Sequence, residues 1–121
     1  MGKQDVDIGV FYGNSGQEMA EKIMHKYGVQ ARLDWEGAVV GIKPNLVLPK
    51  PAAEGATTDP ALVEGIITYI RQLGVSEIKI LESAWVGAAT THAFKTCGYL
   101  ELAEKYDIEL IDLKEDGYNN I

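Results

Sequence analysis

The chain has a single cysteine, Cys97. One thiol cannot form an intrachain disulfide, nor supply the four cysteines of a structural zinc site or an iron–sulfur cluster. Basic runs are also missing. Eleven Lys and Arg face 18 acids, giving a formal net charge of −7, and no stretch of cations marks a nucleic-acid footprint. The acidic balance points instead to a soluble surface or to docking against a basic partner. Apolar runs are short, none nearing the roughly 20 residues of a membrane-spanning helix. Met1-Gly2-Lys3-Gln4-Asp5 carries no signal-peptide core, and residue 6 is Val where a myristoylation signal needs Ser or Thr. The expectation is a cytoplasmic protein with neither membrane nor nucleic acid as partner.

What is present is ordinary for a globular domain: 46% hydrophobic and 24% charged residues, with no repeat and no low-complexity stretch. The 121 residues suit one domain with a real core. Val6–Tyr12 reads as a first strand. Ser15 and Glu18 then form a capping box, followed by Met19, Ala20, Ile23, Met24 and Tyr27 at helical spacing and Gly28 as the stop. Ala38–Ile42 reads as a second strand, apolar on both faces like a strand of a covered parallel sheet. Asp59 and Pro60 open a helix whose buried stripe is Leu62, Val63, Ile66, Ile67, Ile70 and Leu73, ended by Gly74. Ile78–Leu81 is a third strand. A helical region from Thr90 breaks near Gly98 and resumes through Leu100–Tyr106, and Ile108–Leu113 is a fourth strand. The alternation predicts an α/β fold: a mostly parallel sheet of about four strands with helices on both faces, a Rossmann-like three-layer arrangement.

The candidate chemistry gathers at predicted strand ends, where open α/β sheets keep their ligands. Lys43-Pro44-Asn45 follows the second strand. Lys43 can hold an anionic group and Asn45 orient it, with Pro44 keeping Lys43 extended; a snorkelling lysine and an Asx-turn explain the same residues without a ligand. Thr57 and Thr58 precede the Asp59 cap and offer hydroxyls beside free helix amides, although capping accounts for this segment too, and Asp59 repels an anion. Glu82 and Ser83 leave the third strand at the same edge. Glu82 is an ionisable group suited to act as a base or metal ligand, or simply the start of a polar loop, and Trp85 can wall a pocket or pack as core. His92 and His25 read as surface or structural histidines, and Cys97 as a packed thiol. Gly13-Asn14-Ser15-Gly16 has the strand–loop–helix outline of a phosphate nest and a superficial likeness to the phosphate loop of flavodoxins, but a tight turn explains it as well.

Three segments occur in order: Val40-Gly41-Ile42-Lys43-Pro44-Asn45-Leu46-Val47, Glu54-Gly55-Ala56-Thr57-Thr58-Asp59-Pro60, and Ala93-Phe94-Lys95-Thr96-Cys97-Gly98-Tyr99 ahead of a Glu-rich helix. Over roughly residues 38–113 they resemble the bacterial and archaeal family called Domain of Unknown Function 362. Many of its members carry ferredoxin-type Cys-rich segments and are described as iron–sulfur cluster-binding, so the resemblance implies association with a redox protein, an oxidoreductase among the candidates. This chain lacks such a segment and is shorter than the usual family domain. The resemblance therefore implies no metal ligand within residues 1–121 and a cluster in a missing C-terminal portion or on an iron–sulfur partner, the chain being the front part of a longer domain. The function expected is that of the substrate- or anion-binding α/β part of such a protein, taking a small anionic ligand. The alternatives are a flavodoxin-like carrier with FMN at Gly13–Gly16 and a non-catalytic interaction module.

Overall fold

Local signals set most element boundaries. The computed structural model describes residues 8–115 and Gly117. It contains α1 (Gly16–Lys26), β1 (Val39–Ile42), α2 (Pro60–Gln72), β2 (Glu77–Glu82), α3 (Thr90–Thr96), α4 (Tyr99–Tyr106) and β3 (Glu109–Asp112), with 3₁₀ turns at Val29–Ala31 and Ala52–Glu54. Ser15 caps α1 by accepting from the Glu18 amide at 3.4 Å. The reciprocal half of the expected capping box is absent, because the Glu18 carboxylate pairs with Lys22 one turn on. Asp59 caps α2 by accepting from the Ala61 amide, and Pro60 sits where its missing N–H costs nothing. Gly98 takes φ 82°, which splits the third helical region into α3 and α4.

The three described strands are parallel, in the order β1-β2-β3, with Ile42 beside Ile80 and Ile80 beside Leu110. Both crossovers step across the sheet in one direction, and right-handed connections of that kind place their helices on one side. The core forms there. Val40, Ile42, Ile78, Ile80 and Leu110 pack with Val63, Ile67 and Ile70 of α2, Phe94 of α3 and Leu102 of α4. Ile67 and Ile70 are at most 1% exposed, and each contributes about 2 kcal/mol by leaving water.

Helices on both faces were expected, and β1 was expected to be apolar on both. Among the described residues, the second face carries Val39, Gly41, Lys79 and Leu81, none of which belongs to that core, and Val39 is 62% exposed. With the order 1-2-3 there is no reversal of direction to send a helix to that side, so the described strands have no switch-point crevice.

The expected first strand differs too. Val6 and Asp7 lie outside the described residues, and Ile8–Tyr12 form no strand. The segment folds back along α1 instead: a Cβ on Gly9 would meet the Tyr27 ring, and one on Gly13 would meet Met19. Ile8 and Tyr12 stay 87% and 89% exposed. β-propensity makes a strand only where a neighbour offers a ladder, and among the described residues β1 pairs with β2 alone.

α1 joins the fold by packing on α2. A Cβ at Gly65 would lie 2.5 Å from the Gln17 carbonyl oxygen and 2.9 Å from the Ala20 Cβ, and one at Gly16 would lie 2.8 Å from the Leu62 nitrogen. The two helices therefore touch backbone to backbone, and a methyl group at Gly65 would force them apart. At the far side, α4 is fastened to α2 through Glu64. Its carboxylate accepts from Lys105 and from the Tyr106 hydroxyl, both at 2.6 Å, and the Tyr106 carbonyl accepts from Arg71. Hydrogen bonds from Lys105 and then Tyr106 hold the Glu64 carboxyl below its ordinary range despite some burial.

Candidate functional site

Burial alternates strictly along β1 and continues past its end. Val39, Gly41, Lys43, Asn45 and Val47 are exposed, while Pro44 and Leu46 between the last of them are buried. The same alternation runs through β2 and beyond it, with Ile78, Ile80, Glu82 and Ala84 buried and Ser83 and Trp85 exposed. Two extended segments thus leave the sheet together. The Trp85 amide donates to the Val47 carbonyl at 3.0 Å, so they still run side by side there. Lys43, Asn45, Ser83 and Trp85 occupy the exposed positions of this pair.

Glu82 organises the edge. Its side chain is 2% exposed. One carboxylate oxygen accepts from the Leu46 amide at 2.5 Å. The other accepts from the Ser83 amide at 2.7 Å and receives the Lys43 ammonium at 2.8 Å. A side chain here takes the place of a ladder partner for Leu46, which lets the chain beyond β1 keep its extended course. Burial pushes the Glu82 carboxyl upward, but the Lys43 ammonium and the two amides outweigh it, and the group sits below the ordinary carboxylate range. Lys43 keeps a side chain 55% exposed, with ammonium hydrogens left for another acceptor.

Asn45 and Thr58 clasp each other across the loop. The Asn45 amide N–H donates to the Thr58 hydroxyl at 3.0 Å, and the Thr58 N–H donates to the Asn45 carbonyl at 2.9 Å. Tyr99, fully buried, donates its hydroxyl to the Thr58 carbonyl at 3.0 Å, and burial raises its pKa well above the usual phenol range. Thr57 donates to the Lys50 carbonyl at 2.8 Å, and the Cys97 thiol donates to the same oxygen at 3.1 Å. The side chains of Asn45 and Ser83 have no hydrogen-bond partner among the described residues.

Of the residues singled out from the sequence, Lys43, Asn45, Thr58, Glu82 and Ser83 therefore meet at one edge. Thr57 is committed to the loop behind them. Trp85 is 60% exposed and is not core. Of Gly13-Asn14-Ser15-Gly16, Gly16 lies against the first turn of α2 and the Ser15 hydroxyl is engaged as the α1 cap. His25 and His92 are exposed. A groove of about 300 Å³ between α2 and α4, bordered by Asp59, Glu101 and Lys105, contains none of the candidate residues. The contributions missed in the sequence were the Leu46 and Ser83 amides and the Tyr99 hydroxyl. Backbone donors leave no mark in a sequence, and Tyr99 reads as one more core aromatic.

Among the described residues, the donor set does not fit an iron–sulfur cluster. The lone cysteine is buried and bonded to loop carbonyls. Among the described residues, no group of three or more His, Cys, Asp or Glu side chains is placed to hold an ion. No described helix is long and apolar enough to cross a membrane.

No curated protein and no solved structure matches the chain significantly. One family model does, over residues 40–121, which takes in β1 from Val40, Lys43 just beyond it, the Thr57–Pro60 helix start, β2 with Glu82, and β3. The chain thus belongs to the family described as Domain of unknown function (DUF362).

Proposed function

We propose that the domain binds a small anion at the shared edge of β1 and β2, and that it serves as the ligand-binding α/β part of an iron–sulfur-associated redox protein. The cluster would belong to further chain or to a partner, because these residues do not supply its ligands. The observation that carries the binding reading is the buried Glu82 carboxylate holding the half-exposed Lys43 side chain at the strand end, on the edge that also carries the Asn45 carboxamide and the Ser83 hydroxyl, side chains without a hydrogen-bond partner among the described residues. Glu82 shares its charge among three donors, so Lys43 can serve a second acceptor while its position stays fixed. An ammonium, an amide and a hydroxyl together suit a carboxylate or phosphate group.

The test is calorimetric titration of the 121-residue chain with inorganic phosphate and with acetate. Saturable binding is expected, weakened at least tenfold by Lys43→Ala and less by Asn45→Ala. Binding that is absent, or unchanged in both variants, would overturn the reading. A flavin-dependent thermal shift that survives Lys43→Ala would move the site to Gly13–Gly16.

A further inference from the structure

Trp85 is exposed and yet held firmly. The turn it opens is closed by the Ala88 amide donating to the Trp85 carbonyl at 2.8 Å. Lys114, beyond β3, crosses to the same turn and donates to the carbonyls of Trp85 at 3.2 Å and Ala88 at 2.6 Å. The indole lies over Gly87, where a Cβ would come within 2.3 Å of a ring carbon, so only glycine lets the ring rest there. A third bond joins the Trp85 amide to Val47, itself 37% exposed. A large aromatic surface is thus fixed in water beside the Lys43 edge, at some cost in hydration, without entering the core. Lys43, paired with Glu82, and Lys114, on the Trp85 and Ala88 carbonyls, bring two ammonium groups to this edge.

We propose that the anion bound at this edge carries a flat apolar body, and that Trp85 with Val47 forms the surface on which that body lies. The inference rests on the anion-binding reading above and names its ligand class. Spacing supports it. In an extended chain, two residues span about 7 Å, so Trp85 stands about that far along from Ser83, as Val47 does from Asn45. An aryl carboxylate of one or two rings covers that distance, with its acid group at Lys43 and Asn45 and its ring over the indole. Binding surfaces of this kind combine aromatic walls with a few polar groups that fix orientation.

Calorimetric titration of the same chain with 2-naphthoate, acetate and inorganic phosphate tests the inference, with a thermal melt confirming that each variant folds. 2-Naphthoate is expected to bind at least tenfold more tightly than acetate. Trp85→Ala should reduce that preference to near unity while leaving phosphate affinity unchanged, and Trp85→Phe should retain most of it. Lys43→Ala should weaken all three ligands. If phosphate binds in a Lys43-dependent way but 2-naphthoate does no better than acetate, or keeps its advantage in Trp85→Ala, the ligand class is wrong and the anion-binding reading stands. If no anion binds through Lys43, both fall together.

Discussion

Two lysines on one sheet make opposite use of glutamate. Lys79, in β2, pairs with Glu77 at 3.3 Å and with Glu109 at 3.4 Å, and those carboxylates are 52% and 62% exposed. Lys43 pairs at 2.8 Å with Glu82, which is 2% exposed and also accepts from two backbone amides. The first arrangement is three charges in water, where screening and side-chain entropy cancel most of the attraction. In the second, the carboxylate satisfies buried backbone donors, and the lysine balances the charge that makes this possible. The sheet therefore has a solvated end and an organised end, and the candidate ligand groups stand at the organised one.

The largest effect that separates the two ends is expected from Glu82→Ala. It strands the Leu46 amide and deprives Ser83 of its acceptor, so chemical denaturation should show a loss of about 3 kcal/mol. Glu82→Gln, which keeps an acceptor oxygen, should lose less. A cost near zero for Glu82→Ala would mean that the loop is held by the Asn45–Thr58 clasp and the buried Tyr99 hydroxyl instead.

A pH titration of stability sharpens the contrast. The folded-state pKa of Glu82 lies below its ordinary value of 4.5. Its contribution is therefore fully present above about pH 4.5 and is lost as pH falls through the lower folded value. Glu82→Gln should flatten this acid limb relative to the unaltered chain. An acid limb of the same steepness in both would assign the dependence to other carboxylates, Glu64 first among them because Lys105 and Tyr106 lower it as well.

The smallest effect is expected from Lys79→Ala, which should leave the denaturation midpoint unchanged within error and show no salt dependence of its own. A clear loss there would erase the distinction between the two ends.

Much of the fold was legible because its signals are local. The Asp59–Pro60 start of α2, the Gly74 stop and the Gly98 break each depend on a few adjacent residues, and each is where the sequence indicated. Val6–Tyr12 misled for the complementary reason. Its alternation is that of a strand, but the described part lies along α1, and no sheet edge receives it. The site was legible as a set of residue types at strand ends, and not as a set of bonds. Leu46 and Glu82 stand 36 residues apart in sequence, and only the parallel pairing of β1 with β2 brings the amide of one to the carboxylate of the other.

The sequence by itself determined the α/β class, the helix boundaries and the placing of Lys43, Asn45, Glu82 and Trp85 at or just beyond strand ends, because caps, periodicity and turn residues act over three or four positions. The tertiary structure alone decided that Lys43 belongs to Glu82, that Trp85 stays outside the core and that the helices gather on one face. Each of those outcomes depends on strand order, register and burial, which arise only when distant segments pack together.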